Sequence, residues 1–167
     1  MGSHATVAYN ESHRLQFRGP FDVALFRDAV LEVVGRHPIV LARISEDGQW
    51  QEIGVNTHID VPFIDLSRLN EVERQRELSE LVDREGEEPF NLQTGPLMRV
   101  KVVRIANQQH VVLLTGHHMV FDGWSAGLVI TELARIYSAR KQGVQPQLDQ
   151  PASFHDYLVE VQEDRPT

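Results

Sequence analysis

His110-Val111-Val112-Leu113-Leu114-Thr115-Gly116-His117-His118-Met119-Val120-Phe121-Asp122-Gly123-Trp124-Ser125 is the stretch that decides how this chain is built. Residues 110–118 are almost continuously apolar between their histidines. A run of that kind suits a central strand covered on both faces. A turn with a carboxylate follows, and then a helix. Ser125 is placed to cap that helix, which is expected to run to about Arg140. Ala126, Val129, Ile130, Leu133, Ile136 and Tyr137 form its apolar stripe. Strand ends are open and helix N-termini offer unpaired N–H groups, so the junction suits the assembly of chemistry.

Adjacent strand residues point to opposite faces, so His117 and His118 should not share one site. His118 lies on the face of Gly116, where the missing side chain leaves space for a substrate. His117 lies on the face of Leu113 and Thr115 and reads as a buried, hydrogen-bonded histidine. Asp122 either orients His118 or forms a buried ion pair that fixes the loop. Gly123 suits a turn that needs positive φ or close approach of a ligand. Its N–H, near the helix start, would face a developing oxyanion. Phe121 and Trp124 read as packing residues. Zinc bound by His117, His118 and Asp122 is the metal alternative, and the opposed side chains make it a poor one, so no metal is assigned.

Outward from this stretch, residues 97–105 form a second long strand, joined to the first through Asn107-Gln108-Gln109. Residues 9–18 are strand-like, with Leu15 and Phe17 on one face, until Gly19-Pro20 breaks them. Asp22 is placed to cap a helix to about Gly35, carrying Leu25, Phe26, Ala29, Val30 and Val33 at helical spacing. His37-Pro38 ends it, because the residue before proline avoids helical geometry. Residues 39–45 and 49–55 read as paired strands about Asp47-Gly48. Residues 59–64 read as a short strand, and 70–87 as an acidic helix. Glu71, Glu73, Glu77, Glu80, Asp83, Glu85, Glu87 and Glu88 are expected to form its solvated face. Pro89-Phe90-Asn91-Leu92 and Gly95-Pro96 make an ordered loop, residues 143–151 a polar linker and 153–163 a last short helix. Strands and helices mix without the strict repeat of a doubly wound fold, which favours an α/β class of α+β, mixed-sheet sandwich type.

Composition sets the outer limits. A chain of 167 residues suits one compact domain with its own core. The net charge of -8 argues against broad nucleic-acid or anionic-membrane partners. The absence of cysteine excludes disulfides and thiolate metal sites. No apolar run approaches membrane-spanning length and no signal peptide is visible, which is compatible with a cytoplasmic location. Met1-Gly2-Ser3-His4 reads as an expression scar. Residues 1–8 are therefore assigned to that scar and a partial N-terminus, and 9–167 to the domain.

The segment His117-His118-Met119-Val120-Phe121-Asp122-Gly123 resembles the His-His-x-x-x-Asp-Gly signature of nonribosomal peptide synthetase condensation domains and related CoA-dependent acyltransferases. Trp124-Ser125 looks like the condensation-domain version, of the type joining two L-configured building blocks. Arg36-His37-Pro38 is similar to the family's upstream Arg-His motif. Pro89-Phe90-Asn91-Leu92 with Gly95-Pro96-Leu97 looks like its Pro-Phe-Asp-Leu…Gly-Pro-Leu segment. Glu132-Leu133 and Tyr137 fit the helix after the signature. Phe154-His155-Asp156-Tyr157 resembles the motif that closes the first half of such domains. The family's opening helix motif is absent before Tyr9.

This resemblance implies a chloramphenicol acetyltransferase-like lobe, the N-terminal one of two that form a V around a tunnel. Peptidyl and aminoacyl carrier proteins would deliver thioesters from opposite sides on phosphopantetheine arms, with no cofactor held by this chain. It implies that His118 is catalytic and faces the tunnel, with His117, Asp122 and Gly123 in support. Gly116, Trp124 and Ser125 would line the tunnel. The family's aspartate pairs with an arginine, here Arg36 or Arg43, since Leu41 replaces the second arginine of the upstream motif. A lobe without its C-terminal counterpart is expected to be inactive alone and to self-associate or bind a partner through its bared interface. Two other readings stay open: a CoA- or carrier-thioester-dependent O-acyltransferase lobe, and a non-catalytic docking module for carrier proteins.

Overall fold

The computed structural model describes residues 7–53 and 58–151. The core is a mixed sheet of four strands in the order β1-β6-β5-β4. Its members are β1 (Asn10–Arg18), β4 (Phe63–Asp65), β5 (Met98–Ala106) and β6 (Gln109–His117). β6 runs antiparallel to both neighbours, and β4 pairs parallel with β5. The apolar run of β6 is buried from His110 to His117, as a strand covered on both faces requires.

Each face has its own cover. Val112 and Leu114 pack with α1 (Val23–Arg36) and α3 (Gly123–Lys141) through Phe26, Val30, Val129, Leu133 and Ile136. Val111 and Leu113 point the other way, to Leu78 of α2 (Glu71–Glu87) and to Leu66. Burying one such aliphatic side chain contributes about 1.5–3 kcal/mol, so the alternation along β6 fixes which helices lie on which side. The result is the expected mixed α/β sandwich.

Helix ends follow the sequence closely. Asp22 caps α1 by accepting from the N–H groups of Ala24 and Leu25, each at 3.0 Å. Asn70 caps α2 through the Glu73 N–H at 3.0 Å. At α3 the cap is Asp122, not the expected Ser125. Asp122 accepts from both the N–H and the hydroxyl of Ser125, at 2.8 and 2.7 Å. The better acceptor stands three residues earlier, where it reaches the N–H at N3.

Other segments depart further. The long hairpin expected over 39–55 shrinks to β2 (Arg43–Ile44) and β3 (Gln51–Glu52). Residues Pro38–Leu41 form a 3-10 turn instead, with Val40 N–H on the His37 carbonyl and Ala42 N–H on that of Ile39. Pro38 presets the helical φ at its first position. Only 63–65 of the segment 59–64 and its neighbour is strand, while Ile59 and Val61 turn into the core. Glu85 is not on the solvated face of α2. It is 2% exposed and held by Arg99 and Lys101 from β5. The helix expected over 153–163 and the Phe154-His155-Asp156-Tyr157 motif lie outside the described residues.

Candidate active site

β6 ends at His117, and the turn after it is built by hydrogen bonds on either side of His118. The His118 N–H donates to the Tyr9 carbonyl at 2.7 Å, and the Val120 N–H to that of His117 at 3.0 Å. Phe121 then folds back over the sheet and is 1% exposed. It lies directly over Gly116. A Cβ built at residue 116 would sit 2.3 Å from Phe121 Cγ. Gly116 therefore makes room for this ring. The space expected there for substrate is filled by that ring. His118 lies beyond the ring, with 54% of its side chain exposed.

The two histidines divide as the pleat argument requires. His117 is 3% exposed, with the rings of Tyr9 and Phe90 at 5.9 and 6.0 Å. Its Nδ1 accepts from the Met119 N–H at 3.2 Å, so the neutral ring carries its proton on Nε2. That Nε2 is buried with no hydrogen-bond partner among the described residues. Burial, and after it the neighbouring His118, lowers the His117 pKa. This is a neutral, structural imidazole that pins the turn.

His118 is assigned the opposite tautomer from its partners. Its Nδ1 stands 3.3 Å from the Phe121 carbonyl, which can only accept, so Nδ1 carries the proton of the neutral ring. An oxygen of Glu11 is 3.3 Å from the same nitrogen. The Nε2 lone pair is left for whatever approaches from solvent, the state a general base requires.

Glu11 and His13 belong to the site, although the signature segment does not contain them. β1 pairs with β6 so that Glu11 stands opposite Gly116. One Glu11 oxygen takes His118 and the other lies 3.1 Å from Nε2 of His13. A Cβ at Gly123 would stand 3.7 Å from that second oxygen, so the carboxylate rests against the first turn of α3. Only the β1–β6 register identifies this group. The alternation within 9–18 was visible, but not which strand it joins.

The arginine partners expected for Asp122 are engaged elsewhere. Arg36 holds Glu132 bidentately at 2.8 and 2.9 Å, and His37 adds a third contact at 2.9 Å. Arg43 reaches Glu52 at 3.7 Å. Asp122 is exposed, and the Ser125 hydroxyl followed by the Ser125 N–H lowers its pKa. It is a helix cap rather than half of a buried ion pair. Among the described residues the glycines at positive φ are 19, 48, 95 and 143, and Gly123 is not one of them. A Cβ there would stand at ordinary contact distance from Glu11, so the position tolerates a side chain as far as that carboxylate is concerned. Trp124, expected to pack, is 86% exposed, and Met119 of the same turn-and-helix segment is 51% exposed. Among the described residues, no group of three or more His, Asp or Glu is arranged to hold a metal ion.

A scan against family models matches residues 2–166 to the condensation domain. The chain belongs to the condensation-domain family. Among curated relatives, chondramide synthase cmdD of Chondromyces crocatus is 31% identical over 163 residues, covering 96% of this chain and 4% of that protein. Phosphinothricin tripeptide synthetase PhsB of Streptomyces viridochromogenes is 32% identical over 156 residues, covering 92% and 13%. The condensation-domain chain thus spans a small part of the synthetases it matches. Its fold matches the starter condensation domain of rhizomide synthetase RzmA with a TM-score of 0.85, at 24% identity, over 95% of this chain and 38% of that one. SgcC5 of Streptomyces globisporus matches at 0.79 and 23% identity, over 98% and 37%. Among the described residues, no helix is long and apolar enough to cross a membrane.

Proposed function

We propose that this chain is the histidine-bearing N-terminal lobe of a condensation domain that joins carrier-bound aminoacyl or peptidyl thioesters, with Trp124-Ser125 favouring L-configured donors. The observation that carries the reading is His118. Its ring projects past the end of a central strand, with Nδ1 tied to the protein and Nε2 open. The acceptor amine, carried on the phosphopantetheine arm of one carrier protein, attacks the thioester carbonyl on the other. A C–N bond forms, the C–S bond breaks and the donor arm leaves as a thiol. An α-amine with a pKa of about 7.7–8.0 is already partly neutral near pH 7, so it needs alignment more than deprotonation before attack. Nε2 of His118 then takes the proton that the amine nitrogen sheds, and passes it to the departing sulfur.

His117 holds the turn from below, and Asp122 caps α3 from above. Gly123 lies beside Glu11, Ser125 is bound to Asp122, and Trp124 is exposed in the first turn of α3. Exposed Met119 and Trp124 fit a surface that the C-terminal lobe covers in the complete domain. The lobe alone would then lack half of its tunnel and be inactive. Its bared surface would favour association with a partner or with itself. The Trp124-Ser125 pair weighs against an O-acyltransferase.

The test is His118→Ala in the intact synthetase, supplied with loaded donor and acceptor carriers. Product thioester measured by mass spectrometry is expected to fall by about 10²–10⁴-fold, with circular dichroism unchanged. A folded variant with full turnover would overturn the assignment.

A further inference from the structure

Glu11 lies on β1, far in sequence from the signature, and each of its carboxylate oxygens meets a different imidazole. We propose that Glu11 is a positioning residue for His118. Its carboxylate holds the ring with Nδ1 inward and Nε2 outward, and balances the charge the ring gains on taking a proton. This rests on the reading of His118 as proton acceptor.

Three observations support the role. First, Glu11 is anchored in a strand paired with β6 along its whole length, so the carboxylate is carried by the sheet rather than by a loop. Second, the Phe121 carbonyl orients the same nitrogen but has no net charge with which to stabilise an imidazolium. Third, the ring lies beside the first turn of α3, whose positive dipole end opposes protonation of His118. Glu11 packs against that turn at Gly123 and offsets it. The other titratable groups around His118 are His13 on β1, His117 on the opposite face of β6 and Asp122 at the α3 cap. Asp122 is committed to Ser125, and neither histidine brings negative charge. The carboxylate that meets the ring is Glu11. In the transfer step the amine proton ends on Nε2, and Glu11 takes no part in moving it. It acts through charge and orientation, as the third member of a nucleophile–base–carboxylate arrangement does.

Long-range ¹H–¹⁵N NMR of the histidine rings in this chain tests the proposal without relying on turnover. In the parent, the neutral His118 ring is expected to carry its proton on Nδ1. In Glu11→Gln and Glu11→Leu its titration curve should move to lower pH by roughly half a pH unit. Glu46→Gln, on an exposed loop, should leave the curve in place. In the intact synthetase, Glu11→Gln should lower kcat roughly tenfold and shift the acid limb of the pH profile in the same direction, with KM little changed. A parent ring protonated on Nε2, or titration curves unmoved in both variants, would overturn the inference. An inactive His118→Ala enzyme beside fully active Glu11 variants would remove Glu11 while leaving His118 in place. Full activity of His118→Ala would remove the proposed function instead.

Discussion

Glu132 and Glu11 each hold two basic side chains, the first between α3 and the end of α1 and the second at the mouth of the candidate site. Glu132 of α3 has a side chain 9% exposed, clamped bidentately by Arg36 and touched by His37. Glu11 of β1 is 25% exposed and shared between His13 and His118, which are 30% and 54% exposed. Arginine does not titrate in proteins and its fork matches a carboxylate, so the Arg36–Glu132 pair keeps one charge state and one geometry while His37 adds a lesser contact. Imidazoles change charge near neutrality, so the Glu11 cluster has several. The hydrogen bond from Arg36 is the main cause that lowers the Glu132 pKa, with His37 adding to it against the cost of burial. Similar residue types thus give a fastener between α1 and α3 in one place and, in the other, the cluster for which we propose a part in proton transfer. What decides is burial and the choice of arginine over histidine.

Replacing each carboxylate by leucine tests that division and should give the largest effect on stability. Glu132→Leu leaves Arg36 and His37 without their acceptor. It is expected to cost about 2 kcal/mol in urea unfolding, below the range for a fully buried pair because Arg36 retains some solvent contact. Glu11→Leu should stay within about 0.5 kcal/mol of the parent, as a surface pair does. Equal losses at the two positions would break the comparison.

The next effect concerns the packing beneath the open cluster. Gly116→Ala drives a methyl into Phe121, and relief requires that ring to leave the sheet. A loss of about 2 kcal/mol is expected, together with displaced NMR resonances from His118. Retained stability with unmoved resonances would mean that Phe121 does not set the position of the turn.

Much of this was legible in the sequence because it depended on local periodicity. The buried run 110–117, the apolar stripe of α3, the Asp22 cap and the opposite fates of His117 and His118 all follow from spacings of 2 or 3.6 residues. The solved relatives supply the family's fold at the same level. What spacing could not supply was pairing between distant segments. Glu11 enters the site only through the β1–β6 register, and Glu132 takes Arg36 only because α1 and α3 lie side by side. Gly116 was read as open space because the sequence shows an absent side chain but not the ring folded over it. Of the two arginines expected for Asp122, Arg36 is claimed by the buried Glu132 and Arg43 reaches Glu52. The cap itself was misassigned to Ser125, since both residues are good caps and only the observed turn selects between them.

The smallest effect is a pH dependence that separates the closed histidine from the open one. Burial is the first cause lowering the pKa of His117 and of His110, followed by the neighbouring charges of His118 and Arg104 respectively. In the unfolded chain both rings return to about 6.5 and bind protons more readily than in the fold. Stability from keeping them neutral is therefore complete above about pH 6.5 and is lost as pH falls from there towards their folded values. Glu132 acts in a separate, more acidic window. Its contribution is present above the unfolded carboxylate value of about 4.3 and is lost as pH falls through its lowered folded value. His117→Gln keeps a carbonyl able to accept the Met119 N–H but cannot titrate. Its urea stability should fall less steeply between pH 7 and pH 5 than that of the parent, while His110 preserves the rest of the slope. His118→Gln, at the exposed neighbour, is the control and should flatten the slope less than His117→Gln does. Were the two variants to flatten the curve equally, burial would not be what distinguishes these neighbouring rings, and the division of labour at the end of β6 would need another cause.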